Sequence, residues 1–190
     1  MLLGVTGNIG AGKSTFCAFL KSFGLPVYSA DDIGKELLKK NAPAHGPVVE
    51  AFGKQILRPD GEISTKKLAD LVFREPEKLK LLTSITHPLI LERIAQIGSK
   101  HPLAVVEAAV MVEYGWQEHF DKVAVVFAYR GQRILRAARK FGIAEALRRD
   151  SLQLPYGEKL KYAHYLICNT DSPLHLKEQA EKLAKELEVL

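Results

Sequence analysis

The sequence predicts an α/β fold, a five-stranded parallel sheet flanked by helices, and three observations carry that expectation. The first is Gly7-Asn8-Ile9-Gly10-Ala11-Gly12-Lys13-Ser14, a full G-x-x-x-x-G-K-[ST] phosphate-binding loop between the apolar run Leu2 to Thr6 and a helical pattern that starts at Lys13. The second is that the candidate strands are continuous apolar runs rather than alternating ones, as expected of strands buried on both faces of a parallel sheet. The third is that helical patterns stand between successive runs, the order of elements that builds such a sheet.

Taken in order, Leu2 to Thr6 is the first strand. Lys13 to Phe23 places Phe16, Cys17, Phe19, Leu20 and Phe23 at helical spacing, and Gly24 ends the helix as a left-handed cap. Pro26 opens a second strand, Val27 to Ala30, which runs into Asp31-Asp32. From Ile33 to Lys100 the pattern is helical, with polar breaks at Asn41-Ala42-Pro43, Arg58-Pro59-Asp60-Gly61 and Glu75-Pro76. Ser64 and Thr65 can cap one helix there, and Pro76 suits the first turn of the next. Pro88 lacks an N–H and disfavours helical geometry at His87, so a kink or break is expected at that point. Leu103 to Val106, ending in Glu107, is the third strand, Lys122 to Ala128 the fourth and Tyr165 to Cys168 the fifth. Ser172-Pro173 then starts a last helix whose stripe Leu176, Ala180, Leu183, Ala184 and Leu187 is for packing.

These elements divide the chain into a single domain with a core of residues 1–32, 101–128 and 164–190, a helical insertion at 33–100 and a lid at 129–163. The insertion is the candidate acceptor-binding region. The charge distribution supports the lid: residues 129–163 hold nine Lys and Arg against three Asp and Glu, net +6, while the rest of the chain holds eighteen against nineteen. Such a concentration suits a clamp on a polyphosphate and not a basic face along a duplex, so nucleic acid is not an expected partner. No apolar run reaches the roughly 18–20 residues that span a bilayer, and Met1 leads directly into a strand without a secretory pattern, so a cytoplasmic protein without a membrane partner is expected. Cys17 and Cys168 lack metal-ligand or C-x-x-C spacing and read as buried thiols. Oligomeric state leaves no mark in the sequence.

Phosphoryl transfer needs a phosphate cradle, a metal, an aligned hydroxyl and cations around the migrating group. The backbone from Asn8 through Thr15 is the expected cradle, with Lys13 on the terminal phosphates of ATP and Ser14 on Mg2+. Asp31 can serve as general base toward an acceptor hydroxyl, can organise the magnesium shell, or can cap the helix that starts at Ile33. Glu107 ends a strand where an acid can hold magnesium through water, and it can equally begin a solvated loop. Arg136, Arg139, Lys140 and Arg149 are candidate lid cations that stabilise the transferring charge. His87 either fixes the bend before Pro88 or touches the acceptor. Asp31-Asp32-Ile33-Gly34 also matches the D-x-x-G of a nucleotide-regulated switch, but Asn169-Thr170-Asp171 lacks the accompanying N-K-x-D.

With these residues assembled, the chain resembles the dephospho-coenzyme A kinases nearly end to end. The likeness runs through Val5-Thr6-Gly7, Ile9 to Thr15, Ala30-Asp31, Phe52-Gly53, Asp60-Gly61 and Ile85-Thr86-His87-Pro88-Leu89-Ile90, the His-Pro element being the more discriminating part. It continues through Val112-Glu113, Arg149 with Gln153, Lys159, Ala163 and Leu166-Ile167-Cys168-Asn169. The resemblance implies a P-loop nucleotide-kinase-like fold and transfer of the ATP γ-phosphate to the ribose 3′-hydroxyl of dephospho-CoA, with ATP, Mg2+ and dephospho-CoA as the small-molecule partners. It makes Asp31 the base, Lys13 and Ser14 the phosphate and metal groups, Arg136, Arg139, Lys140 and Arg149 lid cations, Asn169 part of an adenine-side loop, and His87 part of the acceptor region. This chain departs from the family pattern at Ser29, at Glu107 and Ala109, and at Lys140-Phe141. Another small-molecule or nucleoside monophosphate kinase on the same scaffold is the alternative, since acceptor choice lives in the insertion.

Overall fold

Five strands, β1 (Leu2–Thr6), β2 (Val27–Ser29), β3 (Ala104–Glu107), β4 (Lys122–Phe127) and β5 (Tyr165–Cys168), form one sheet in the computed structural model, which describes residues 1–188. All pairings are parallel, and the order across the sheet is β2-β3-β1-β4-β5. All five residues of β1, the central strand, are buried, which accounts for its unbroken apolar run. The chain leaves β1 toward β2 and leaves the adjacent β4 toward β5, in opposite directions, so the loop after β1 sits at a topological switch point. Register sets Glu107, the last residue of β3, level with Val5, and Thr6, the last residue of β1, level with Val125 of β4.

Nine α-helices accompany the sheet among the described residues: α1 (Lys13–Ser22), α2 (Ala30–Leu37), α3 (His45–Phe52), α4 (Thr65–Arg74), α5 (Pro76–Lys100), α6 (Arg130–Phe141), α7 (Ile143–Ser151), α8 (Tyr156–Leu160) and α9 (Pro173–Glu188). The chain divides into two compact units, one made of Met1–Ser29 with Ile97 onward and the other of Ala30–Gln96. The second therefore begins with α2 itself rather than at residue 33. The last turn of α5 belongs with the sheet: Gly98 lets Leu2 approach so closely that a Cβ there would lie 2.8 Å from a Leu2 methyl.

In the sheet-bearing unit, α1 and α9 cover one face. Phe16, Leu20, Leu176, Ala180, Leu183, Ala184 and Leu187 pack with Leu3, Val5, Val105, Ala124, Val126 and Ile167, each large side chain contributing about 1.5–3 kcal/mol by burial. The α9 stripe thus does what its spacing predicts, and Ser172 caps the helix by accepting the His175 N–H at 3.2 Å.

The Ala30–Gln96 unit has its own core of Ala44, Val48, Phe52, Ile56, Ile63, Leu68 and Val72, against which Leu79, Leu82, Ile85 and Leu89 pack. Ser64 caps α4 through the Lys67 N–H, as expected. Two expectations are corrected here. The break at His87-Pro88 does not occur, because α5 runs through Pro88 without interruption. Proline costs about 3 kcal/mol in a helix interior, but Leu82, Ile85 and Leu89 continue one apolar face across it, and Pro88 itself is exposed. Asp31 and Asp32 also lie within the first turn of α2 and not ahead of it, so Asp31 is not the N-cap of a helix starting at Ile33. The same helix absorbs Asp31-Asp32-Ile33-Gly34, leaving no loop in which a D-x-x-G element could switch.

Candidate active site

The loop between β1 and α1 is built around glycines whose backbones no other residue could adopt without strain. Gly10 and Gly12 have φ of 73° and 98°, and a Cβ at either would collide, with the Arg133 carbonyl and the Asn169 amide respectively. Gly12 is also the N-cap of α1 and brings no side chain to cap it, so the unsatisfied N–H groups of the first turn remain for an anion. Ser14 and Thr15 are exposed at that turn, whereas Lys13 is only 9% exposed and reaches Asn8 O at 3.4 Å.

The backs of the loop peptides are held in turn. Arg133 Nη1 donates to Ile9 O at 3.2 Å, Arg136 Nη1 to Gly10 O at 3.5 Å, and Asn169 Nδ2 to Ala11 O at 2.8 Å. Arg136 also donates through Nη2 to Asn169 O at 3.0 Å, tying two of these donors together. A trans peptide points its N–H opposite its carbonyl, so anchoring Ile9 O and Ala11 O outward turns the N–H groups of Gly10 and Gly12 the other way. The Ile9 N–H is the exception: it donates to Gln153 Oε1 at 2.7 Å. Arg133 is itself fixed by Asp150, whose carboxylate also takes Arg130, at 2.7 and 2.9 Å. Burial alone would raise the Asp150 pKa, but the hydrogen bonds from Arg133 and Arg130 more than reverse this and hold it below the usual carboxylate range.

At the other edge of the loop Ser14 Oγ donates to Glu107 Oε1 at 2.8 Å. A hydroxyl and a carboxylate brought together beside a phosphate cradle fit a hard dication, which keeps several waters and takes few protein ligands. Among the described residues no group of three or more His, Cys, Asp or Glu offers a cage for a softer metal. Cys17, one turn along α1, is no competitor, since burial, with the nearby Glu107 charge, pushes its thiol far above the usual value.

The remaining expected site residues fall into two groups. Arg136 and Asn169 meet the phosphate loop, but through its outward carbonyls. Arg149 is taken up elsewhere, donating to Glu145 at 2.7 Å and lying 4.1 Å from the centre of the Phe141 ring. The hydrogen bonds from Arg148 and Arg149 bring the Glu145 carboxyl down to about 2. Much of the positive charge of residues 129–163 is thus paired internally. Arg139 and Lys140, at the end of α6, are exposed; Lys140 Nζ lies 5.1 Å from the Phe141 ring centre, and Arg139 has no hydrogen bond or ion pair among the described residues. Asp31 is likewise exposed, with no partner among the described residues. His87 is half-buried in α5, and burial lowers its pKa. Sequence reasoning passed over the roles of Arg133, Asp150 and Gln153. Nothing in spacing signals the bond from Arg133 to a carbonyl more than a hundred residues away.

This geometry can be set beside known proteins. The family model for dephospho-CoA kinase matches residues 1–174. The dephospho-CoA kinase of Aquifex aeolicus is 38% identical over 97% of this chain and 96% of its own, and that of Dehalococcoides mccartyi 34% identical over the same shares. A crystal structure of a Thermus thermophilus protein superposes with a TM-score of 0.80 at 32% identity, covering 98% of this chain and 96% of that one. The dephospho-CoA kinase structure from Campylobacter jejuni gives 0.67 at 28% identity over the same shares. A shikimate kinase from Acinetobacter baumannii, at 14% identity and a TM-score of 0.59 over 99% of this chain and 93% of its own, shares the fold. By its fold, its phosphate loop and its match over nearly the whole length, this chain belongs to the dephospho-CoA kinase family.

Proposed function

We propose that this enzyme transfers the γ-phosphate of ATP to the ribose 3′-hydroxyl of dephospho-CoA, yielding coenzyme A and ADP, with the sheet-bearing unit holding the nucleotide. The observation that carries the nucleotide half of this reading is the Ser14–Glu107 contact at the mouth of an anchored phosphate loop. Family membership carries the acceptor.

In this proposal the loop from Asn8 to Thr15 receives the β- and γ-phosphates, with the N–H groups of Gly10 and Gly12 and of the first turn of α1 as donors. Lys13 supplies positive charge to the oxygens between which the phosphoryl group moves. Ser14 would ligate Mg2+ directly and Glu107 through water; when bound, the ion neutralises phosphate charge. Asp31, which follows β2 and is exposed, with no partner among the described residues, orients the 3′-hydroxyl and accepts its proton as the bond to phosphorus forms. The exposed Arg139 and Lys140 are the cations available to fold over the phosphates; Arg136 and Asn169 serve by holding the loop, and Arg149 acts only if it leaves Glu145. His87 belongs to the acceptor region.

No helix among the described residues is long and apolar enough to cross a membrane. Cytoplasmic residence is part of the proposal, supported by the free thiols Cys17 and Cys168. So is the absence of a nucleic-acid partner, supported by the internal pairing of Arg130, Arg133, Arg148, Arg149 and Lys161.

ADP release with Mg2+ and ATP, measured against dephospho-CoA, AMP and shikimate, tests the reading. Turnover is expected with dephospho-CoA alone. Equal or faster turnover with AMP or shikimate would replace the acceptor assignment.

A further inference from the structure

Lys159, in α8, is a charged side chain with no exposed surface. Burying an ammonium is costly unless it is paired and its N–H groups are bonded, so its partners carry information. Lys159 Nζ lies 2.7 Å from Glu113 Oε1 and donates to Ala109 O at 2.8 Å. Ala109 O also accepts from Thr6 Oγ1, at the end of β1, at 3.3 Å. Glu113 Oε1 also accepts the Leu154 N–H at 3.1 Å, and Leu154 O accepts Asn8 Nδ2 at 3.1 Å. Beside it Gln153 takes the Ile9 N–H. These bonds close a ring that leaves the chain at Thr6 and returns to it at Asn8 and Ile9, bracketing the first glycine of the phosphate loop.

The ring is rich in acceptors. Asn8 Oδ1 and Glu113 Oε2 are further buried oxygens that no protein donor reaches among the described residues. The Lys159 charge balances this surplus. Burial lowers the Lys159 pKa, Glu113 opposes the shift by hydrogen bond and charge, and the Arg133 charge adds to the lowering. No bond of the ring lies in the apolar cores. Three of the bonds join the start of the phosphate loop to the segment after β3 or to the stretch from Gln153 to Lys159, and the other three join those two segments to each other.

We infer that Glu113 and Lys159 are positioning residues for nucleotide binding, setting the entry of the phosphate loop and through it the direction of the N–H groups that meet the phosphates. The inference rests on the nucleotide-binding role assigned to that loop under the proposed function. Neither residue touches the reacting atoms in this account. They act through Thr6, Asn8 and Ile9, as the arginines behind the loop act through its carbonyls.

The test compares Mg2+–ATP binding and dephospho-CoA binding, by calorimetry on the full chain, with thermal melting of each variant. Lys159→Met strands a buried carboxylate and can cost the fold. Glu113→Gln keeps size and acceptor, and Glu113→Gln/Lys159→Met removes both charges, a change that buried pairs often tolerate. In folded variants Mg2+–ATP affinity is expected to fall by about 10- to 10²-fold, the cost of slightly misplacing a binding group, with dephospho-CoA affinity held within about twofold. Glu113→Asp, which restores the charge, is expected to recover part of the loss. A folded double variant that binds Mg2+–ATP like the parent would overturn the inference, as would equal losses for both ligands. Failure of every variant to fold would make the pair part of the fold and overturn it as well. A parent that does not bind Mg2+–ATP would instead overturn the nucleotide reading itself.

Discussion

In the sheet-bearing unit Thr6, Asn8, Lys13, Arg133, Lys159 and Asn169 are buried polar side chains, whereas in the Ala30–Gln96 unit the one such side chain among the described residues is Thr86. Thr86 returns its hydroxyl to the Leu82 carbonyl of its own helix at 2.9 Å, a local bond of the kind any helix makes. The six in the other unit lie in the phosphate loop, border it, or belong to the bonding around it. A buried polar group costs stability unless fully bonded, so such a concentration marks where geometry is fixed for a purpose beyond folding. The Ala30–Gln96 unit instead has an apolar core with exposed ion pairs such as Lys35–Asp32 and Arg58–Asp60, which contribute little. One unit gathers its buried polar groups around the phosphate loop; the other is held by an apolar core.

That contrast can be broken at several points. Lys13→Ala removes charge where it is needed most in the transition state, and turnover is expected to fall by about 10²–10³-fold or more with the melting temperature little changed. Near-normal turnover by the folded variant would remove the phosphate loop from the account. Gly10→Ala drives a Cβ into the Arg133 carbonyl at a left-handed φ; it should cost about 1–3 kcal/mol in thermal unfolding and weaken Mg2+–ATP binding as well. Were binding untouched, the contact between the loop and α6 would be packing alone.

The Arg130–Asp150–Arg133 clamp gives a pH signature. The Asp150 pKa is lower folded than unfolded, so its contribution is complete above the unfolded value of about 3.9 and is lost as pH falls through the folded value. Asp150→Asn is therefore expected to lower the melting temperature at neutral pH, with the gap to the parent closing as the pH drops below about 4. A gap independent of pH would assign the effect to shape and not to charge. Smallest of all, Ser64→Ala removes the α4 cap in the Ala30–Gln96 unit; a loss of about 0.5–2 kcal/mol in unfolding is expected, with Mg2+–ATP affinity unchanged. A change in nucleotide affinity from that site would blur the division between the units.

How much of this was legible in the sequence follows from how local each signal is. The strands, the phosphate loop, the Ser64 and Ser172 caps and the α9 stripe are written within a few residues, and all appear in the structure. Ser14 from the loop motif and Glu107 from the end of its strand were each singled out separately, and nothing local signalled that their side chains lie 2.8 Å apart. The break at Pro88 does not occur because a local rule about one lost hydrogen bond is outweighed by a face of Leu82, Ile85 and Leu89 whose packing partners are distant in sequence. For the basic segment, a net charge counts cations but does not say which are engaged, and Arg133, Arg136 and Arg149 are bonded to loop carbonyls and to acids of their own segment. The Thr6–Ala109–Lys159–Glu113–Leu154–Asn8 ring joins three separated stretches, so neither periodicity nor spacing could have revealed it.

The central claim of the proposed function is that Asp31 is the base toward the acceptor hydroxyl. Asp31→Asn keeps the size of the side chain and its place in the first turn of α2 and removes only the charge. Single-turnover transfer to dephospho-CoA at saturating Mg2+–ATP, with nucleotide affinity measured in parallel, is the direct test. The account predicts a fall in transfer rate of about 10²–10⁴-fold with nucleotide affinity and melting temperature unchanged. Transfer close to the parent rate would contradict it, and so would recovery of the rate on raising magnesium, which would make Asp31 an organiser of the metal and not the base.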